Sequence, residues 1–309
     1  MIVLPYKELR YYSFGLKAGV KNLMRNGFRL GAKRTVGKIA QPINWYTRFP
    51  EYCFFDSAIA RYIAQLNSST RPRFLDIGSP KTVGLYFAAT RNVEVTLTDI
   101  TPSNVDEYQV IWSSLSSGAK GRALFELQDA RSLKFPDATF DVVYSMSVIE
   151  HIGGQSGDSQ AVREMIRVLK PGGLLVISVP FGRRYMEQQI IGVSGAALQT
   201  KDGKPYFFQR IYDETAFTSR ILTSASDLEE IHFITVYRKH TWMPRTFARL
   251  GENVRGAFGF LNPFLSLVAN QSCEGMNTRF AIDYGSMHSI RDIYGDLVMS
   301  GVKGTSAQI

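Results

Sequence analysis

Cysteine is scarce: Cys53 and Cys273 are the only two in 309 residues. Two thiols so far apart supply neither a disulfide framework nor paired metal-ligand spacing, and they point to a reducing, cytoplasmic setting. Histidine is equally thin, at 151, 232, 240 and 288, so no metal centre is expected. No run reaches the roughly 18 apolar residues of a membrane-spanning helix. The longest candidate, residues 257–269, is broken by Asn262-Pro263 and reads as core or an oligomer contact. The sequence shows no repeat and no low-complexity tract. A hydrophobic content of 45% with a mean hydropathy of −0.09 leaves an ordinary globular chain, long enough for one domain with extensions.

Acidic residues are missing from one place in particular. Residues 1–48 hold ten lysines and arginines against Glu8 alone, while the rest of the chain is neutral, so this segment carries the whole net charge of +9. Lys17, Lys21, Arg25, Arg29 and Lys33 recur every fourth residue, as a stripe on a helix would. Leu9, Tyr12, Leu16, Val20 and Leu23 recur at threes and fours beside it. Gly15, Gly19, Gly27 and Gly31 each weaken such a helix by roughly 1 kcal/mol. Three readings stay open: a solvated basic extension, a helix for an anionic membrane surface or acidic partner, and an organelle transit peptide.

What the chain does have is a strand, a tight turn and a helix start in RFLDIGSPKTVG, residues 73–84. Phe74, Leu75 and Ile77 form a short apolar run that ends at Gly78, with Asp76 near the strand's carboxyl end. Ser79 suits an N-cap and Pro80 the first helical position. A second strand, VEVTL at 93–97, leads to Asp99, 21 residues beyond Gly78. That is about the spacing at which an acidic side chain reaches ribose hydroxyls in a nucleoside-binding βαβ unit, although Asp99 also suits capping the Thr-Pro turn after it. A third strand at 123–127 precedes Gln128-Asp129-Ala130. The turn-rich 135–139 then leads into the buried strand FDVVYS, 140–145, in which Tyr144 reads as core and Asp141 as structural. Residues 160–169 have an amphipathic helical pattern stopped by Lys170-Pro171-Gly172-Gly173, and Leu174–Val179 is the next strand.

With RVLKPGGLLVISVP as its most characteristic stretch, this chain resembles the class I S-adenosylmethionine-dependent methyltransferases, the type 11 group in particular, over about 72–180 and more weakly over 213–237. The resemblance implies an α/β, Rossmann-like doubly wound sheet of seven strands, mostly parallel with an antiparallel last strand. It implies S-adenosylmethionine as cofactor, held by Asp76, Ile77, Gly78, Ser79, Asp99, Ile100, Asp129, Ala130 and Met146, with Asp129 accepting from the adenine amino group. It also places Arg48 and Glu51, on a helix expected within 44–66 with Phe55, Ile59, Tyr62, Ile63 and Leu66 inward, near the ligand. Where the family repeats glycine in its first turn, this chain has Pro80 and Thr82. Ser79-Pro80-Lys81 removes a backbone donor that a pyrophosphate needs, which argues against a dinucleotide enzyme.

Methyl transfer from a sulfonium needs positioning above all, and a base only where the acceptor atom holds a proton tightly. His151 with Glu150, leaving the end of a central strand, is the candidate base pair; walling the cofactor pocket is its other reading. Arg183, Arg184, Arg210 and Tyr212 are candidates for an anionic substrate. The expected organisation is a basic extension at 1–48, a methyltransferase domain at 49–238 plus 294–304, and an insertion at 239–293, with the stretch 183–208 a substrate-side insertion. A helix from Asp213 to Leu222 and strands at 228–237 and 294–303 complete the pattern. The acceptor expected is a small molecule, a lipid-linked precursor or a glycan, methylated at oxygen. RNA methylation and a catalytically silent binding protein are the rivals. No RNA-binding module and no Asn-Pro-Pro-Tyr-like element supports the first, so nucleic acid is not expected as partner.

Overall fold

Short apolar runs alternating with amphipathic stretches become strands and helices in βα order in the computed structural model. The structure describes residues 14–25 in part, 48–66, 70–190, 205–238, 280–284 and 295–305. Most of the expected insertion at 239–293, the apolar run at 257–269 and much of the N-terminal stripe lie outside these residues. Two units are distinguished: Met1–Asp76, Pro80–Leu127 and Arg238–Ala281 in the first, and Ile77–Ser79, Gln128–Tyr237 and Ile282–Ile309 in the second.

In the first unit, helix α1 (Arg48–Gln65) is followed by β1 (Arg73–Ile77), α2 (Lys81–Thr90), β2 (Glu94–Asp99), α3 (Pro102–Leu115) and β3 (Arg122–Leu127). The strand order is β3-β2-β1, with β2 and β3 parallel from Glu94 opposite Arg122 to Asp99 opposite Leu127. Parallel strands need a long crossover, usually a helix, and α2 and α3 supply it, packing on β2 and β3. On α1 the expected apolar face holds in part. Phe55 and Ile59 are buried together with Tyr52 and Ala58, while Tyr62, Ile63 and Leu66 are half-buried. The Arg91 guanidinium bonds the Asp56 carboxylate and lies over the Phe87 ring.

The N-terminal stretch is helical at 14, 15, 17, 18, 20–22, 24 and 25. Phe14 meets Tyr86 edge-to-face at 5.5 Å, and Ala18 and Asn22 are buried on the same side. The opposite side exposes Lys17, Lys21 and Arg25 together with Val20 and Met24, the two apolar residues being 49% and 82% exposed. Apolar and basic residues thus share one outward face at 17, 20, 21, 24 and 25; of the expected apolar stripe, Leu9, Tyr12, Leu16 and Leu23 lie outside the described residues.

In the second unit, β4 (Phe140–Met146) runs parallel to β5 (Leu169–Phe181), and α4 (Gly157–Val168) packs on both. The helix stops one residue earlier than the pattern suggests because Leu169 already pairs with Phe140; the register then shifts, so that Val142 faces Leu174. Strand β10 (Gly295–Lys303) enters antiparallel between β5 and β8 (Leu228–Arg238), its Leu297, Val298 and Met299 fully buried. The fold is the Rossmann-like, mostly parallel α/β sheet with an antiparallel last strand. It has eight strands rather than seven, because β9 (Phe280–Tyr284) of the expected insertion joins beyond β8. Within the stretch read as a substrate-side insertion, β6 (Met186–Ile190) and β7 (Tyr206–Ile211) form a separate two-stranded antiparallel sheet.

Two local expectations change. The helix predicted over 213–222 has one α turn, α5 (Glu214–Phe217), continued by a π turn at Thr218–Leu222 and a 3-10 turn at Thr223–Ala225. Hydroxyls there bond backward, Thr223 Oγ1 to the Thr218 carbonyl at 3.0 Å, which competes with regular helix bonding. Ser79 does not cap α2. That helix starts at Lys81 after Pro80 without a side-chain cap, and Ser79 Oγ accepts instead from the Met146 N–H at 3.0 Å. A buried strand-end N–H has no water to turn to, so it claims the hydroxyl.

Gly78 takes φ +64°, and a Cβ on it would stand 2.7 Å from Val148 Cγ1. Gly78→Ala is expected to lose about 1–2 kcal/mol to the left-handed backbone alone, and more to the clash. Thermal unfolding of Gly78→Ala, Val148→Ala and the double variant separates the two, since removing Val148 relieves only the steric part. A Gly78→Ala melting temperature equal to wild type would contradict this account of the turn.

Candidate active site

At the carboxyl ends of β1 and β2, a buried ammonium gathers the acidic side chains. Lys81 is 3% exposed; its Nζ donates to the Thr98 carbonyl at 2.6 Å and lies 3.4 Å from Asp76 Oδ1 and 3.8 Å from Asp99 Oδ2. Asp76 is fully buried, and its own carbonyl accepts from Thr98 Oγ1 at 2.7 Å. Its carboxylate therefore serves Lys81, a partner that the sequence signalled only as the residue after Pro80. Asp99 Oδ1 accepts from the Thr101 N–H at 2.9 Å and Oδ2 from Asn104 Nδ2 at 3.2 Å. The capping role is thus in place, and a carboxylate with about four acceptor positions keeps room for a diol as well. Ile100 beside it is 65% exposed, as a residue lining a ligand surface can be. Glu51 is buried, and the Arg48 side chain lies outside the described residues.

In the second unit, the turn Ile77–Ser79 is tied to the end of β4. Ser145 Oγ donates to the Ile77 carbonyl at 3.2 Å, and the Met146 N–H bonds Ser79 Oγ. Met146 is fully buried, and Ser147 after it takes φ +47°. Asp129 stands in a small turn, its carbonyl accepting from the Ser132 N–H at 3.0 Å, with Ala130 half-buried at the bend. Arg131 grips the Asp129 carboxylate: Nε reaches Oδ1 at 3.0 Å and Oδ2 at 3.2 Å, Nη2 reaches Oδ2 at 2.6 Å, and the Arg131 N–H adds a bond at 2.9 Å. These bonds hold the carboxyl below its usual range. An adenine amine would therefore have to take the place of Arg131. The pair is exposed, which makes that exchange inexpensive.

His151 ends a 3-10 turn, Ile149–His151, and its Nδ1 lies 2.7 Å from the Phe208 carbonyl. A carbonyl only accepts, so Nδ1 carries a proton, and whenever the ring is neutral Nε2 is the nitrogen with the lone pair. Nε2 faces Glu150 Oε1 at 3.7 Å; the carboxylate side chain is 1% exposed and the imidazole 27%. The Phe208 ring meets His151 edge-on at 4.9 Å. Of the residues proposed for an anionic substrate, Arg210 and Tyr212 are buried in a network around Asp158, whereas Arg183 and Arg184 are exposed. Asp158 accepts from Arg220 at 2.7 and 2.8 Å, from the Tyr212 hydroxyl at 2.8 Å and from the Ser159 N–H at 2.8 Å. Spacing alone does not reveal this network. Among the described residues no group of histidine, cysteine and carboxylate side chains is arranged to hold a metal ion, and no helix is long and apolar enough to cross a membrane.

Residues 75–177 match the methyltransferase domain family of the type 11 kind. The fold and this match together make that part of the chain a methyltransferase domain of the class I, S-adenosylmethionine-dependent type. Curated relatives share it. The O-methyltransferase resE of Aspergillus sclerotiorum is 28% identical over 116 residues, 37% of this chain and 42% of its own. The sterol 24-C-methyltransferase ERG6B of Gibberella zeae is 33% identical over 137 residues, 42% of this chain and 34% of its own. The 27-O-demethylrifamycin SV methyltransferase of Amycolatopsis mediterranei is 32% identical over 105 residues, 34% and 37% of the two chains. The chain therefore spans between a third and a half of the length of these relatives. Their names cover methylation at oxygen and at carbon, so what is shared is the domain and not the acceptor.

Burial pushes the Asp158 carboxyl up, but the Arg220 and Tyr212 bonds, the Arg210 charge and the Ser159 N–H outweigh it, and the net direction is down. A carboxyl lowered on folding stabilises the fold above its unfolded pKa of about 4 and loses that contribution as pH falls through the folded value. Asp158→Asn takes the counter-charge from Arg220 and the buried one of two from Arg210, and is expected to cost about 3–5 kcal/mol near neutral pH. Its urea stability should also fall less steeply on acidification than that of wild type. Parallel acid limbs would show that Asp158 is not the group being titrated.

Proposed function

We propose that this protein transfers the methyl group of S-adenosylmethionine to an oxygen of a small-molecule, lipid-linked or glycan acceptor, within a domain spanning 49–238 and 294–304. The observation that carries the oxygen assignment is His151, whose Nδ1 proton is committed to a backbone carbonyl so that Nε2 is the basic nitrogen. The cofactor when bound supplies a methyl on sulfonium sulfur, which passes to the acceptor oxygen and leaves a neutral thioether. Asp99 suits the ribose hydroxyls and Asp129 the adenine amino group, each as a charged acceptor to a neutral donor. The remaining contacts in this reading are Ile77, Gly78 and Ser79 of the first turn, with Ile100, Ala130 and Met146. Nε2 of His151 takes the hydroxyl proton as the oxygen–carbon bond forms, and the Glu150 carboxylate stabilises the resulting imidazolium. A carbon acceptor or an amine that is neutral at working pH makes less use of such a base. The second reading, a silent binding protein, is favoured by one observation: Arg131 already occupies the carboxylate of Asp129.

Calorimetry with S-adenosylmethionine separates the two. Asp99→Ala is expected to weaken binding by about 1.5–3 kcal/mol, tenfold or more. Arg131→Ala, by freeing Asp129, is expected to tighten it by about 0.2–1 kcal/mol. No binding by the wild-type chain would favour the silent reading; a loss of affinity in Arg131→Ala would remove Asp129 from the adenine site. For the reaction itself, a tritiated methyl group is followed into small-molecule and lipid extracts. His151→Ala should abolish that transfer while leaving cofactor affinity intact.

We also propose a peripheral contact with an anionic membrane surface through the N-terminal helical stretch. Its outward face supports this, because cations and exposed apolar side chains are interleaved there, and attraction and shallow burial then act together. Each basic residue near such a surface is worth roughly 1 kcal/mol, so Lys17→Glu/Lys21→Glu/Arg25→Glu should release the chain from anionic vesicles. Val20→Ser/Met24→Ser should weaken the same binding without altering its salt dependence. Sedimentation with anionic and neutral vesicles, at low and high salt, reads both. Equal sedimentation of wild type and the charge-reversed variant would leave these residues as a solvated basic extension.

A further inference from the structure

Two residues of one hairpin strand, Phe208 and Arg210, and Arg220 of the π turn converge on His151 and the loop that follows it. Strand β7 supplies the Phe208 carbonyl that takes the His151 Nδ1 proton. Two residues further on, Arg210 is 1% exposed, yet it spans the loop that follows His151: Nη1 donates to the Ile152 carbonyl at 2.7 Å and Nη2 to the Gly154 carbonyl. Gly154 takes φ +90°, a backbone state that glycine enters without a Cβ penalty. The guanidinium also lies 4.8 Å above the Phe207 ring, with its Nε 3.3 Å from Glu187 and 3.7 Å from Asp158. Asp158, at the start of α4, completes the lock by binding Arg220, whose Nη2 also reaches the Gln155 carbonyl at 2.6 Å. Every loop carbonyl from 152 to 155 except that of Gly153 is thereby given a guanidinium donor in the described contacts.

We infer that the β6–β7 hairpin is the device that sets which nitrogen of His151 is basic, with Arg210 as the positioning residue that clamps the hairpin to the His151 loop. This rests on the reading of His151 as the base. The physical argument is one of marginal stability. A two-stranded sheet does not hold itself in water, so the hairpin needs external anchors. A buried arginine–carboxylate cluster is a costly anchor compared with packed hydrophobic side chains, and its distinctive return is a single, directional arrangement. Here the arrangement presents one carbonyl to one imidazole nitrogen. Free imidazole side chains prefer the proton on Nε2, so without that carbonyl the tautomer reverses and the base is lost to catalysis.

The test is the nitrogen-15 spectrum of the histidine side chains in the full-length chain, with His151→Ala identifying the resonance of residue 151. Wild type is expected to show His151 with its proton on Nδ1. In Arg210→Met that tautomer should become the minor one, with S-adenosylmethionine affinity unchanged as the check on folding. Arg210→Lys keeps the charge beside Asp158 but cannot bridge two carbonyls, so it should give a mixture; if Arg210→Met does not fold, this variant decides. Retention of the Nδ1 proton in every folded variant overturns the clamp, whatever the rate of methyl transfer. A shifted tautomer combined with wild-type transfer by His151→Ala leaves the clamp standing and overturns the base.

Discussion

A buried ammonium cannot stand alone, and the carboxyl ends of β1 and β2 are arranged around that requirement. Lys81 is placed at the first turn of α2, where the Thr98 carbonyl and the Asp76 and Asp99 carboxylates compensate it. Removing any one partner of such a cluster leaves a charge in a medium that solvates it poorly. The consequence is that the Asp99 carboxylate is held in place by Lys81, by Asn104 and by the Thr101 N–H. Side chains whose rotamers are already fixed lose little entropy on binding.

The two acidic residues singled out for the nucleoside are therefore in different electrostatic conditions. Asp99, its side chain 13% exposed, shares its charge with a buried lysine, while Asp129, at 35%, is closed by the exposed Arg131. Both began as an aspartate after a short β-branched or apolar strand. Burial and neighbours distinguish them: one is held by a buried lysine, the other by an exposed arginine.

A similar contrast runs through the arginines of the second unit. Arg183 and Arg184 are exposed, but Arg210 is spent on backbone carbonyls and Arg220 on Asp158. Under the proposed reaction the weight therefore falls on one imidazole rather than on anion recognition. The carbonyl that meets its Nδ1 belongs to a hairpin which interrupts the chain between β5 and α5.

The βα order, the parallel strands at 73–77, 94–99 and 140–146, and the late strand at 295–303 were legible in the sequence, because short apolar runs bounded by glycine, proline and polar residues have few other ways to bury themselves. So was the turn at Gly78, since only glycine enters a left-handed turn without cost. The register shift at the start of β5, the strand β9 and the broken helix after Asp213 were not legible, being decided by which neighbouring strand or hydroxyl offered the better hydrogen bond. Nor were the partners of the site. Lys81 with Asp76, Arg131 with Asp129, and Arg210 with the loop after His151 join residues whose sequence separations run from two to nearly sixty. By itself the sequence determined the element types and the acidic side chains available at the strand ends. Only the tertiary structure decided which of those charges are already neutralised, because compensation of a charge depends on distance and burial, and neither is written in the spacing of residues along a chain.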